Sequence, residues 1–526
     1  MELKTLYKVL PLAIAAASLA ACGGGSSSSG GSSDSTSATK SLSSNPDFTF
    51  DQTTYVGAVD PSATDAWYSF ALAGSIPAAT DIVSGGAVVT NWQDSIAEDF
   101  TPNMDGITAA TECPSLASGN VFDTGETVTL DGQDFIKCRL SGSIDEDTEL
   151  TNDVIWNLAG QVYVGDGNKK LTSSDNTVDN ATLTIPAGTI FMSDSGASLT
   201  VTRGSSINAV GTADQPIIFS GDATETFAGS EDFGGDGEWG GLVLQGYAYN
   251  NKCGDSSEND YCNLVGEGDA GYFGGYDNSD STGTLKYVIV TEAGAQTGAD
   301  GDELNGISFQ SVGYGTTLDY IQINNNYDDG VEFFGGAPDV THLVITGAKD
   351  DSIDWDEGFV GNIQYALIVQ TWSQSSDATS NEVFELDTRG DDYESAYLES
   401  NPTVANVTAF TSRQTGGSQS NGIMLKEGTE GQFFNIFMAG DINACAYIKD
   451  DYVETSYDDR ADAFNGIYCS TDTTLTFASG VTESLYDGVE DKLTNDSTYV
   501  VVNSNLALTA TPATAYTIES KTIITE

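Results

Sequence analysis

A single histidine, His342, stands in 526 residues. That scarcity removes serine-type triads that need an imidazole base, unless His342 supplies it, and removes zinc centres built from several histidines. Basic residues are scarce as well: 18 Lys+Arg face 78 Asp+Glu, giving a net charge of −60. A phosphate backbone finds no basic patch to pair with, so no nucleic-acid partner is expected. No C-x-x-C pair exists, which argues against a thiolate metal knot. Beyond the first twenty or so residues no stretch approaches the ~20 apolar residues that a spanning helix requires. What the chain does have is 39% hydrophobic residues against 18% charged, enough apolar material for a core, so the acidity reads as a solvated face on a folded protein.

The N-terminus carries a targeting pattern. Lys4 and Lys8 form a basic start, residues 9–17 are apolar, and Leu19-Ala20-Ala21-Cys22 ends in a cysteine. This resembles the lipobox of bacterial lipoproteins, which implies removal of residues 1–21 as a signal peptide and lipidation of Cys22. Gly23 follows, where an Asp would imply retention at the inner membrane, so the expected location is the outer membrane, lipid-anchored, on its periplasmic or cell-surface face. Residues 22–45 are rich in Gly and Ser and read as a flexible tether. Six cysteines remain: Cys113, Cys138, Cys253, Cys262, Cys445 and Cys469. An even number in an oxidising compartment suggests disulfides, and the sequence-local pairing 113–138, 253–262 and 445–469 is the first candidate among the arrangements six cysteines allow.

Residues 46–151 are irregular and read as an N-terminal capping region over the open end of a repeat stack. The stack itself, residues 152–526, shows most clearly at 328–371. There DDGVEFFGGAPDVTHLVITGAK is followed by DDSIDWDEGFVGNIQYALIVQT, so that Asp328-Asp329 returns 22 residues later as Asp350-Asp351. A unit that short cannot bury its apolar face alone, and copies must stack. Six hexamers superpose: LKYVIV, LDYIQI, VTHLVI, IQYALI, VANVTA and FFNIFM. Their first, fourth and sixth positions are apolar, and the third is a column of Tyr287, Tyr320, His342, Tyr365, Asn406 and Asn435. Two strands meeting at a sharp bend would give this pattern, since Asn tolerates a left-handed backbone. It resembles the right-handed parallel β-helix of pectate-lyase type, which implies an all-β solenoid with Gly/Asp-rich insertions near 222–237 and 250–283.

A second column carries the chemistry. In Val331-Glu332-Phe333, Ile353-Asp354-Trp355 and Phe384-Glu385-Leu386, alternation aims the acid outward. Two carboxylates ~5 Å apart repel by roughly 3 kcal/mol at an effective dielectric near 20. Water and salt could screen that, or a cation could sit there. Candidate ligands for a divalent cation, Ca²⁺ first, are Asp328, Asp329, Glu332, Asp350, Asp351, Asp354, Asp356 and Glu357, because hard cations take clustered carboxylate oxygens. Neither an EF-hand loop nor the calcium-binding nonapeptide repeat is present. Glu267, Asp269, Asp277 and Asp280 make a second acidic set. Among nearby aromatics, Phe333 and Trp355 share the inward parity of their strands, whereas Phe334, Phe359 and Trp372 are candidate faces for sugar stacking.

Carboxylate pairs can hydrolyse glycosides, but the GHG and RIK motifs of polygalacturonase-type β-helices are missing. Polysaccharide lyases need a Lys or Arg base, and Lys349, Arg389, Arg413 and Lys426 lie in no recognisable motif. Across residues 150–370, the strings LTIPAGTIF, LTVTRGSSINAVGTADQPIIFSG, EWGGLVLQG, GEGDAGYFGG, NGISF, GTTLDYIQI and DDGVEFFGG resemble a group of bacterial outer-membrane β-helix lipoproteins of leptospiral type. The resemblance implies location and fold and assigns no catalytic residue. The expectation is therefore a surface lipoprotein with a Ca²⁺-dependent binding or structural role, directed at a glycan or an outer-membrane receptor. The alternative is a carbohydrate-active hydrolase or lyase.

Overall fold

The computed structural model describes residues 44–518, apart from 85–86, 89–100, 223–236, 255–260, 298–301, 371–381, 391–392, 412–418, 452–459, 496–501 and 509–514. Residues 1–43, with the expected signal peptide, Cys22 and most of the expected tether, thus lie outside the described residues, as do Trp372 and Arg413.

The chain winds as a parallel β-helix with three faces. One face stacks the strands Gln161–Val164, Ser198–Val201, Gly241–Gln245, Ile307–Gln310, Val331–Phe334, Ile353–Asp356, Phe384–Leu386, Ile423–Leu425, Ala446–Ile448 and Leu475–Phe477. The other two faces are joined at a bend. Strand Gly283–Thr291 pairs through residues 283–286 with Ile207–Val210, and through 288–290 with Ile217–Phe219. One long strand per coil therefore serves two faces.

The bend is the column expected from sequence. Tyr287, Tyr320, His342, Tyr365, Asn406 and Asn435 have φ between 51° and 67°, the left-handed region, and the ladder skips each of them: Asp319 pairs with Thr341, then Ile321 with Leu343. Asn takes this conformation readily, but a tyrosine there is strained by about 1–2 kcal/mol. The rings offset that by stacking along the helix axis. Tyr287 lies 4.4 Å from Tyr320, Tyr320 4.2 Å from His342, and His342 5.0 Å from Tyr365, all within 17° of coplanar. His342 Nδ1 is 2.8 Å from Asp319 Oδ1, and Lys286 Nζ is 2.7 Å from Asp319 Oδ2. The lone histidine is a structural residue.

Alternation along each strand fills the interior with stacked apolar side chains, among them Phe309, Phe333 and Phe359, whose centroids are 4.9 and 4.3 Å apart in sequence. Trp355, fully buried, donates its indole N–H to Thr429 Oγ1 at 2.9 Å.

The residues before 152 divide into two parts. The antiparallel hairpin of Asn120–Leu130 and Gln133–Ser141 covers the end of the coil, and its second strand already pairs in parallel with Ile155–Leu158 as a rung. Residues 44–84 instead run along the flank as a strap over the bend. Gln322 and Gln364 are buried there, and a buried amide needs partners. The strap's backbone supplies them. Leu72 N–H donates to Gln322 Oε1 at 2.6 Å, while Gln364 accepts from Asp51 N–H at 3.0 Å and donates to its carbonyl at 2.9 Å. Phe70 and Trp67 close edge-on over the ring column. The C-terminal residues join the strap: Asn435 brackets Tyr516, and Gln52 brackets Ile518, each through two hydrogen bonds.

Three disulfides form, Cys113–Cys138, Cys253–Cys262 and Cys445–Cys469. The first ties the pre-hairpin segment to the first rung, and the last ties two faces of neighbouring coils.

Candidate functional site

The site grows from two side-chain ladders on the first face. In register, Ser308 stands against Glu332, then Asp354, Glu385, Met424 and Tyr447. Three of those consecutive outward positions are acids. Two residues before each strand lies a second ladder: Asn305, Asp329, Asp351, Glu382 and Asn421. In it each acid caps the backbone of the next coil. Asp329 Oδ1 accepts from Asp351 N–H at 2.8 Å, Asp351 accepts from Glu382 N–H, and Glu382 accepts from Asn421 N–H and, at 2.9 Å, from its side-chain amide. A carboxylate thus does what an Asn side chain would do elsewhere, and adds a charge at each step.

These acids are not a solvated face. Asp351 is 1% exposed, Asp329 6% and Glu382 7%. Burial first, and neighbouring carboxylates second, hold Asp329, Glu332, Asp351 and Asp354 well above the usual carboxylate range. The same causes push Asp328 and Asp350 up to about 7. Burial also carries Asp387 to about 8 and Glu382 to about 7. Glu385 goes the other way: burial raises it, but the hydrogen bond from Asp351 and the charge of Lys426 more than offset that. Lys426 Nζ sits 2.5 Å from Glu385 Oε1 and 3.0 Å from Asp387 Oδ2. Burial would lower its pKa, yet Asp387 and Glu385 hold it above the ordinary lysine value.

Three sets of oxygens come within 4.8 Å of one another: Asp328, Asp329 and Asp350; Asp329, Glu332 and Asp354; and Asp351, Asp354 and Glu385. Oxygens on opposite sides of one Ca²⁺, each bonded at about 2.4 Å, span about that distance. Several acceptors here are buried with no hydrogen-bond partner, namely Asn305 Oδ1, Asp350 Oδ1, Asp354 Oδ1 and Asp387 Oδ1. Orphaned buried oxygens are costly unless something positive meets them.

The structure gathers six of the eight candidate ligands in these sets. Asp356 and Glu357 lie apart with Lys252, whose Nζ is 2.5 Å from Glu357 Oε1 and 3.7 Å from Asp356 Oδ2. Asn305, Glu382 and Asp387 escaped the sequence reading. The first two were findable by counting back two residues from each strand start, since Asn305, Asp329, Asp351 and Glu382 share that offset. The second acidic set is dispersed: Asp277 and Asp280 line a cavity of about 320 Å³ with Tyr247, Tyr261 and Tyr276, whereas Glu267 faces Glu332. Phe359 is fully buried and Phe334 is 8% exposed, so neither offers a sugar-stacking face. Phe359 sits in a turn, where strand parity gave no warning that it folds back onto Phe333.

The family model for the pectate-lyase like beta helix domain matches residues 142–521. The chain belongs to that family. No curated protein and no solved structure matched it. Within this pectate-lyase-like β-helix, the cation in ion-pair contact with the acid row among the described residues is Lys426, and Asp387 and Glu385 raise its pKa, whereas a proton-abstracting base needs a shift the other way. Arg389 reaches the carbonyl of Asn251 at 3.4 Å, and Lys349 lies over the Tyr327 ring. No helix among the described residues is long and apolar enough to cross a membrane.

Proposed function

We propose that this β-helix is a lipid-anchored outer-membrane protein with a binding or structural role that depends on divalent cations, Ca²⁺ in the first instance, bound along the acid row. The observation that carries this reading is the row of buried and half-buried carboxylates stacked coil upon coil, with orphaned oxygens and, among the described residues, ion pairs from Lys426 at one end. A hard cation supplies the missing charge and takes oxygen ligands from adjacent coils without a dedicated loop. Filled with cations, the row becomes a rigid face able to meet the anionic groups of a glycan or of an outer-membrane receptor. The anchor rests on Leu19-Ala20-Ala21-Cys22, and Cys22→Ala should release the protein from membranes.

The deciding measurement is the melting temperature with EDTA and with millimolar Ca²⁺ at matched ionic strength. A ligand at 100 times its Kd stabilises by about 2.7 kcal/mol, a shift of a few degrees for a chain of this size. No shift beyond that of ionic strength alone rejects the reading. Family membership keeps one competitor alive, a carbohydrate-active enzyme using the paired acids. It requires turnover on a polysaccharide panel that Asp354→Asn abolishes, and the reading proposed here expects no turnover.

A further inference from the structure

One member of the second ladder does not cap the next coil. Asp329, Asp351 and Glu382 each accept a backbone N–H from the coil that follows, but Asn305, at the same offset and fully buried, accepts none. Its side chain turns to the outward column instead. Nδ2 donates to Glu332 Oε2 at 2.7 Å and to Ser308 Oγ at 3.2 Å, and Oδ1 is left without a hydrogen-bond partner. An amide oxygen sealed from water and unpaired is costly. Glu332 belongs, with Asp329 and Asp354, to a set of oxygens within 4.8 Å of one another, and Asp354 Oδ1 in that set is a second orphan. A half-turn about the last side-chain bond of Asn305 puts Oδ1 where Nδ2 now stands, against the same set.

The flanking sets share residues with this one, Asp329 on one side and Asp354 on the other, so an ion in the middle takes a ligand from each. In the last set Lys426 already supplies a positive charge at Glu385. The insertion reaches the middle set from outside. Its hairpin, Leu264–Gly266 paired with Gly271–Phe273, lies on the first face: Gln245 Nε2 donates to the Ala270 carbonyl at 3.2 Å and the Tyr163 hydroxyl to the Asp269 carbonyl at 3.1 Å. Two glycines permit the close approach. A Cβ at Gly266 would lie 2.5 Å from Gln310 Oε1, and one at Gly268 would lie 2.9 Å from Leu304 Cδ2. Leu304 precedes Asn305, and Gln310 ends the strand that carries Ser308. Glu267, between the two glycines, is thus held over this end of the acid column, and its charge bears on Glu332.

We infer that a single divalent cation binds at the middle set, to Asp329, Glu332, Asp354 and Oδ1 of Asn305, and that Glu267 reaches it from the hairpin, so that the ion ties the insertion to the coil. Carboxylates and an amide oxygen are the donors a hard cation takes, and the roughly six to eight positions around Ca²⁺ leave room for Glu267 and water. The coil before Glu332 offers Ser308 at the outward position, and the hairpin supplies the carboxylate that the column lacks there. The inference rests on the cation reading above and adds to it one place and one consequence, cation-dependent docking of the insertion.

The test is equilibrium dialysis of the full-length chain in detergent with radiolabelled Ca²⁺, together with hydrogen exchange of residues 264–273 measured with and without Ca²⁺. Wild type should bind one ion, and its hairpin amides should exchange several-fold more slowly when Ca²⁺ is present. Asn305→Leu and Glu332→Gln should each weaken Ca²⁺ binding by at least about tenfold. Asn305→Leu changes no charge, so its loss of affinity reports a missing ligand rather than a weaker field. Glu267→Gln should abolish the slowing of exchange. Unchanged affinity in Asn305→Leu or, should that protein fail to fold, in Glu332→Gln overturns the site and leaves cation binding elsewhere along the row standing. Exchange that Ca²⁺ slows equally in Glu267→Gln and wild type overturns the tie to the insertion, and a wild-type count above one overturns the single ion. A wild-type chain that binds no Ca²⁺ removes this inference together with the reading it rests on.

Discussion

Replacing Tyr320 separates two quantities that the bend combines. Its backbone sits at φ 55°, which costs a residue bearing a Cβ about 1–2 kcal/mol and glycine almost nothing. Against that cost stand two face-to-face ring contacts, with Tyr287 at 4.4 Å and His342 at 4.2 Å. Each contributes roughly 0.5–1.5 kcal/mol beyond the area it buries. Edge contacts to Phe70 and Trp67 add the strap to the same ring. Tyr320→Ala keeps the strained backbone and loses every ring contact, for an expected loss of about 2–4 kcal/mol. Tyr320→Gly loses the same contacts but relieves the strain, and should be more stable than the alanine variant by about 1 kcal/mol. Tyr320→Asn should fall close to glycine, since Asn already fills this position at Asn406 and Asn435. Denaturation of the three variants gives the order, and limited proteolysis within 44–84 reports whether the strap loosens. An alanine variant as stable as the glycine variant would refute the strain argument. Three variants all matching wild type would refute the stacking argument as well.

Two further expectations follow from groups away from the acid row. Gln364→Ala removes both hydrogen bonds to Asp51 and should speed cleavage within residues 44–63 several-fold while the coil itself stays resistant, so equal cleavage rates in variant and wild type would rule it out. Asp339, which accepts from Asn45 and Asn362 at 2.7 Å each, is raised by burial to about 6 from an ordinary value of 3.8. Because the folded state holds this proton more tightly, the stabilisation is complete below about pH 4 and is lost as pH rises through 6, at most about 3 kcal/mol. Asp339→Asn should flatten that part of the stability profile between pH 4 and 7; an unchanged slope would exclude Asp339 as its source.

Much of the coil could be read from the residues because its signals are local and repeat. Period-two alternation fixed which side chains face inward, and six superposed hexamers marked the bend from Tyr287 to Asn435. What propensity alone would not place there is tyrosine and histidine in a left-handed backbone. Ring stacking between coils overrides the local preference, and only the column as a whole makes the choice intelligible. The acid row was legible as Glu332, Asp354 and Glu385, but its burial and electrostatics were not, since groups that act on it, such as Glu267 on Glu332 and Lys426 on Glu385, are distant in sequence. The strap left no periodic trace for a different reason. Its backbone bonds to side chains such as Gln322, Gln364 and Asn406 rather than to a ladder, so nothing in residues 44–84 repeats.

The strap also sets an order of events during folding. Leu72 finds Gln322 only across 250 residues, Asp51 finds Gln364 across 313, and Gln52 finds Ile518 across 466. Residues 44–84 precede every surface they dock on, whereas paired strands of neighbouring coils lie far closer in sequence, as Val331 does to Ile353. Short-range closure is fast and long-range closure slow. Closure within the coil is therefore expected to precede docking of the leading segment, which limited proteolysis within 44–84 during refolding would report as late protection.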